Sequence, residues 1–293
     1  MDIDAVITDI DGVLVDTSDS YHRAIVESVR TVYGETIDRS ETQAFKNAGG
    51  FNNDWLTTDA VALYILAVRQ GYEKDAADFA DAIATHGGGL ESAKAVLGAD
   101  LSERAHAAIL DEWDPTELRR TFQWLYLGPE RYHAFEDNPP PVTRPDSAGY
   151  MDEEPIILEP DTRHYLLDTY TLGVLTGRPK VEASIALERV GIDPPDRYVR
   201  AMEDWAGGKP DPAGLISIAS ACDAASVLYI GDELDDVKTA VNANETDGDV
   251  TYYGIGVLTG GLTGGAGIEA FLAVGATAVL PSINKLPGYL DSD

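Results

Sequence analysis

From residue 171 to residue 280 short apolar runs alternate with segments of helical period, and this alternation restricts the chain more than any other feature. Residues 171–175, 198–201, 227–230, 252–257 and 277–280 read as strands, and 181–190, 212–221 and 235–242 as helices between them. Strands joined through helices are brought back in the same direction, which predicts a parallel sheet with helices on both faces. Ile3, Ala5, Val6 and Ile7, bounded by an Asp-Gly turn signal, supply a further buried strand at the start of the chain. The predicted fold class is α/β, a doubly wound parallel sheet.

Between the first strand and the second lies a long stretch with another rhythm. Residues 18–33, 57–70, 74–85, 90–97, 102–112 and 116–126 have helical spacing, and no strand pattern interrupts them. Over 128–154 the periodicity fails and Pro139, Pro140, Pro141 and Pro145 exclude a continuing helix or a central strand, so a long surface loop is expected there. Residues 18–155 are therefore expected to form an all-helical insert with a proline-rich return. Residues 1–17 and 156–293 form the α/β domain.

Charged side chains do not belong inside a buried strand, yet three of the strands end in polar groups. The first runs into Asp9 and Asp11 of ITDIDGVLVDT, the second into Thr176-Gly177-Arg178, and 227–230 into Gly231-Asp232-Glu233-Leu234-Asp235-Asp236. Lys209-Pro210-Asp211-Pro212 opens the helix before that last strand. Carboxyl ends of parallel strands share one edge, where open sheets bind ligands. Asp9, Asp11, Thr176, Lys209, Asp232 and Asp236 should thus meet in one pocket.

Several carboxylates beside a single lysine leave negative charge that a hard, oxygen-bound divalent cation would balance, and Mg2+ fits that description best. A cation, a lysine, a hydroxyl and the amides of a Thr-Gly turn together attract phosphate. A carboxylate next to that phosphate can attack it, giving an aspartyl-phosphate that water hydrolyses. On this chemistry Asp9 is the nucleophile and Asp11 the acid.

Composition narrows the partners. With Asp and Glu totalling 51 against 21 Lys and Arg, the formal net charge is -30. Such a surface repels nucleic acid and anionic lipid. The acidic residues are scattered through segments with clear apolar periodicity, which reads as solvated surface rather than disorder. Few lysines with much Asp and Ala resemble the cytosolic proteins of salt-accumulating halophiles. The lone Cys222 excludes an intramolecular disulfide and reads as a buried structural thiol. No leader opens the sequence and no apolar run spans a bilayer, so a cytoplasmic protein is expected. A homodimer is compatible with these features.

DIDGV, LTGR, the KPDP lysine and GDELDD, in that order, resemble the four motifs of the haloacid dehalogenase superfamily of phosphatases and phosphotransferases. The resemblance covers about residues 2–17 and 157–286, and the helical insert directly after the first motif is similar to the cap of subfamily I, though longer. It implies that Asp9 is nucleophile and Mg2+ ligand, and that Asp11 is general acid-base with a backbone carbonyl on the metal. It further implies that Thr176, the Gly177 amide and Lys209 hold the phosphoryl group. Asp232 would ligate Mg2+ directly, Asp236 through metal-bound water, and Asp235 has no assigned part. Because Asp11 can protonate an alcohol leaving group, the resemblance favours hydrolysis of a phosphomonoester of a small soluble metabolite over carbon-halogen cleavage. The alternatives are a sugar phosphotransferase or mutase and a non-catalytic phospholigand-binding module. Retention of Asp9, Asp11, Thr176, Lys209 and Asp232 together argues against the last.

Within the insert, KNAGGFNNDW at 46–55 offers Gly50 for close backbone approach and Asn47, Asn52 and Asn53 as neutral hydrogen-bonding groups to a substrate. A loop between helices with asparagine caps explains the same residues equally well. The stretch resembles a little-characterised branch of capped hydrolases with the same GFNNDW pattern. Arg178, following the phosphate turn, is the better candidate than Arg119 or Arg120 for an anionic substrate tail.

Overall fold

The computed structural model describes residues 3–51, 53–135 and 148–291. The chain divides into two compact units, Met1–Ser18 with Glu154–Asp293, and Asp19–Glu153. The first carries the sheet: β1 (Ala5–Thr8), β2 (Thr171–Leu175), β3 (Val199–Arg200), β4 (Ser226–Gly231), β5 (Thr251–Val257) and β6 (Ala278–Leu280). They lie in the order β3-β2-β1-β4-β5-β6 and every pairing is parallel. From β1 the chain moves outward through β2 to β3, then returns to β4 on the other side of β1. The order therefore reverses between β1 and β4, the kind of position at which such sheets hold ligands.

The second unit is helical: α1 (Ser20–Tyr33), α2 (Thr42–Asn47), α3 (Asp54–Arg69), α4 (Ala76–Thr85), α5 (Gly89–Asp100), α6 (Glu103–Glu112) and α7 (Pro115–Phe135). α3 is apolar nearly all round, burying Val61, Leu63, Ile65 and Leu66, and so serves as the central helix of this unit. Two departures from expectation occur. α2 is a six-residue helix that periodicity does not show. The helix ending the unit does not stop before Gly128; that glycine breaks the geometry at φ 79° and ψ 167°, and a second helical segment resumes at Pro129. Proline suits a helical first turn because the amide it lacks would have no partner there. The expected loop prolines 139, 140, 141 and 145 lie outside the described residues.

The remaining helices belong to the sheet unit: α8 (Pro160–Thr169), α9 (Lys180–Val190), α10 (Ala213–Cys222), α11 (Leu234–Thr246), α12 (Gly264–Ala273) and α13 (Leu286–Leu290). Alternation along the strands separates two cores. Val6, Val174, Leu228 and Ile230 pack with Leu166, Ala186 and Leu187 on one face, and Ala5, Ile7, Val227 and Tyr229 with Leu215, Ile218 and Ala240 on the other. A central strand covered on both sides must be apolar throughout, and β1, AVIT, is buried at all four positions. Cys222 is half-buried at the end of α10 rather than fully buried. No described helix is long and apolar enough to cross a membrane.

Candidate active site

The residue after β1, Asp9, has its amide tied to Ile230 of β4 at 2.9 Å. Its carboxylate thus stands at the boundary where the strand order reverses, and it is only 5% exposed. Asp9 Oδ1 accepts the Ile10 amide at 2.7 Å and Oδ2 accepts Lys209 Nζ at 2.5 Å. The same ammonium lies 2.6 Å from Asp236 Oδ1. Asp236 is fully engaged: Tyr229 also donates its hydroxyl to Oδ1 at 2.8 Å, and the Glu233 amide donates to Oδ2 at 3.0 Å.

Burial raises Asp9 above the usual carboxylate range, against the pull of the Lys209 ammonium. Burial alone would lower Lys209, but the Asp236 and Asp9 carboxylates outweigh it and hold the ammonium protonated. Asp232 is pushed well up, first by burial and then by Asp236. Among the described residues no hydrogen-bond donor reaches its carboxylate. A buried carboxylate left bare in this way is expensive as an anion, so the donor set invites a cation.

Asp9, Asp232 and Asp236 can each turn an oxygen to within 4.8 Å of the others. Oxygen donors of this kind suit a hard divalent ion, and the residues present therefore fit Mg2+. Both oxygens of Asp9 and of Asp236 already accept hydrogen bonds, so Asp232 is the carboxylate of the three that no described donor engages. Asp235 lies outside this group and pairs with Lys238 at 2.8 Å on the surface of α11.

The turn from β1 explains how Asp232 reaches its place. Gly12 has φ 63°, and a Cβ there would lie 2.3 Å from Asp232 Oδ2. Gly260, in the loop after β5, approaches from another direction, where a Cβ would fall 1.8 Å from the same oxygen. Thr259 beside it donates its hydroxyl to the Gly12 carbonyl, which ties the two loops together. Gly260 and Tyr229 were not among the expected site residues. The signal for Gly260 was available, since it too follows the carboxyl end of a parallel strand.

Thr176 is buried at the end of β2, its amide donating to the Arg200 carbonyl at 2.9 Å and its hydroxyl oxygen accepting the Arg178 amide at 3.2 Å. The hydroxyl proton remains available to a ligand. Gly177 is exposed, with open space where a side chain would be. Arg178, expected to face a substrate anion, is instead buried, with Nε 2.7 Å from Asp11 Oδ1.

The substrate candidates of the insert have local roles in the second unit. Gly50 packs on Gly88 and Gly89, where a Cβ would meet the Gly89 nitrogen at 2.7 Å, and Gly89 donates its amide to the Gly49 carbonyl at 2.8 Å. The close approach these glycines permit is thus between two loops of the unit itself. Asn53 caps α3 by accepting the Leu56 amide at 3.1 Å, and Asn47 accepts Gln43 Nε2 at 2.8 Å. Asn52 lies outside the described residues.

The sheet thus gathers carboxylates and a buried lysine at the point where its strand order reverses. Residues 164–246 match the family model for haloacid dehalogenase-like hydrolases. Over that segment the chain is similar to haloacid dehalogenase-like hydrolases. Among solved structures it is similar to the phosphatase Tt82 from Thermococcus thioreducens, at 21% identity and TM-score 0.61, covering 84% of this chain and 90% of that one. A predicted phosphoglycolate phosphatase from Haemophilus somnus aligns over 98% and 97% at 12% identity and TM-score 0.55. A beta-phosphoglucomutase candidate from Thermotoga maritima aligns over 98% of both chains at 18% identity and TM-score 0.51. At these identities the likeness concerns the fold. No curated protein matches the sequence.

Proposed function

We propose that the protein is a Mg2+-dependent phosphomonoesterase acting on a small phosphorylated metabolite through an aspartyl-phosphate. The observation that carries this reading is the Lys209 ammonium held between Asp9 at 2.5 Å and Asp236 at 2.6 Å, beside the bare Asp232 carboxylate. Asp9, Asp232 and the Asp11 carbonyl would hold the metal, whose bound charge lowers the cost of bringing a phosphate dianion against buried carboxylates. Thr176, the Gly177 amide and Lys209 bind the phosphoryl oxygens and orient phosphorus toward Asp9.

Asp9 attacks phosphorus, so that a bond from its carboxylate oxygen to phosphorus forms as the bond to the leaving oxygen breaks. Asp11 gives its proton to that oxygen, and the alcohol departs. Asp11, now ionised, takes a proton from water as the water oxygen attacks phosphorus; the bond to Asp9 breaks, releasing phosphate and restoring both carboxyl groups. Lys209 remains protonated throughout and offsets charge at Asp9 and on the phosphoryl oxygens.

Phosphate release from a panel of phosphomonoesters, with and without Mg2+, tests the reading for the wild type and Asp9→Asn in parallel. Mg2+-dependent release that the variant loses is the expected result, and release that survives Asp9→Asn unchanged would overturn it. Since the fold is shared by proteins described as phosphatases and as a phosphoglucomutase, the acceptor is a separate question. Turnover that appears only with a sugar bisphosphate present would assign the second phosphoryl transfer to a sugar rather than to water.

A further inference from the structure

Arg178 carries a full charge on a side chain that is 0% exposed. Both of its contacts with Asp11 fall on one oxygen: Nε lies 2.7 Å and Nη2 2.6 Å from Oδ1. Nη2 is also 3.3 Å from Glu154 Oε2, and the Glu154 side chain is likewise at 0% exposure. Arg189 of α9 holds the same Glu154 oxygen, Nη1 to Oε2 at 3.3 Å, and its Nη2 donates to the Glu154 backbone carbonyl at 2.6 Å. The Arg178 backbone is fixed as well, its amide on Thr176 and its carbonyl accepting the Met202 amide at 2.9 Å.

As stabilisation alone this arrangement has little to recommend it. Burying a carboxylate between guanidinium groups costs desolvation that Coulomb attraction about repays, and apolar packing of the same volume would do as well. What apolar packing could not do is dictate how Asp11 presents its two oxygens. On Oδ1 two nitrogens of the one guanidinium converge, so this oxygen is the one Arg178 engages. Oδ2 accepts no hydrogen bond from a described residue, and the Asp11 side chain is 30% exposed.

The geometry points to Arg178 as the residue that positions Asp11: by holding Oδ1 it turns Oδ2 outward and fixes the plane in which Oδ2 meets the leaving oxygen. Glu154 and Arg189 act one step further out, holding the guanidinium against rotation. A lysine in place of Arg178 would keep the charge but lose the fork of parallel donors. This inference rests on the reading of Asp11 as the acid.

The test uses the full chain and kcat/KM, which reports the steps up to departure of the alcohol and is blind to hydrolysis of the phosphoenzyme. Two esters are compared, p-nitrophenyl phosphate, whose leaving group departs without a proton, and an alkyl ester such as glycerol phosphate, whose leaving group needs one. Arg178→Lys is expected to lose about tenfold or more in kcat/KM on the alkyl ester relative to the aryl ester, as a fraction of the full contribution of a general acid. Inhibition by inorganic phosphate should stay within about twofold, since no phosphate-binding group has been removed. In an Asp11→Asn background Arg178→Lys should cost nothing further on the alkyl ester, because the two act as one unit. Glu154→Gln, which leaves the Arg178 to Asp11 contact in place, should show the same selectivity on a smaller scale, and serves if Arg178→Lys does not fold. Equal loss on both esters, while Asp11→Asn discriminates between them, would overturn the positioning role. Additive losses in the double variant would also overturn it. Asp11→Asn that fails to discriminate would overturn the general-acid reading itself, and this inference with it.

Discussion

Asp59 lies on α3 in the helical unit, 7% exposed, and accepts Trp113 Nε1 at 2.9 Å. Burial raises its carboxyl from the usual 3.8 to about 6, with the Trp113 hydrogen bond and Lys94 opposing. A carboxyl that is harder to ionise when folded penalises the folded state once it must ionise. The penalty is absent well below pH 3.8, grows between 3.8 and about 6, and is complete above that, so this group makes stability fall as pH rises through that window. Asparagine keeps an oxygen for Trp113 and never ionises. Linkage over the interval gives Asp59→Asn a gain of about 1 kcal/mol at about pH 4.5 and about 3 kcal/mol at about pH 7.5, upper values because the site can relax. Hydrogen exchange is the suitable assay, since it reads this unit separately and global unfolding of a two-unit chain need not be two-state. In peptides spanning α3, corrected for intrinsic rates, protection should rise markedly more at the higher pH than at the lower. Unchanged or weaker protection at about pH 7.5, or the same gain at both values, would refute the argument that burial of the charge is the dominant effect.

Other consequences follow from the sheet unit and the surface. Gly260→Ala should raise the Mg2+ concentration for half-maximal activity by about tenfold or more, because the new methyl displaces the Asp232 carboxylate; Gly261→Ala, with nothing within 4 Å, should leave it alone, and similar effects in the two variants would remove the steric explanation. Tyr229→Phe removes the hydroxyl that donates to Asp236 at 2.8 Å and should lower hydrogen-exchange protection in peptides spanning β4 by the equivalent of about 1–3 kcal/mol; no loss would mean that Lys209 and the Glu233 amide alone satisfy Asp236. With a formal charge of -30, the chain should melt at higher temperature as KCl is raised from about 0.1 to about 1 M, since screening shortens the range of repulsion; a melting temperature indifferent to KCl would show that the acidic surface is not under such strain.

The parts of this fold visible in the sequence are those whose signals are local. The alternation over 171–280 gave strands and helices because a two-sided sheet needs continuous apolar runs, and β2, β4 and β5 are indeed buried through most of their length. α12 was not visible: GGAGIEAFLA opens with glycines that oppose helix formation, and what secures it is distant, Phe271 seated so closely on Gly256 of β5 that a Cβ there would lie 2.6 Å from the ring. The periodicity fails at Gly128 because that residue leaves helical geometry, yet Pro129 after it begins a further helical segment that no apolar period announces. The site divides along the same line. Asp9, Lys209, Asp232 and Asp236 could be gathered from sequence because parallel strands force their carboxyl ends to one edge. Arg178 could not be oriented, since an arginine after a phosphate-binding turn suits an outward cation and an inward one equally; only the presence of Glu154, 24 residues earlier, as a buried counter-charge decides between them. That partner belongs to the segment returning from the insert, whose position relative to β2 no periodicity encodes. The acids that do the proposed chemistry follow from strand order, while the groups that aim them depend on tertiary contacts between segments that share no local pattern.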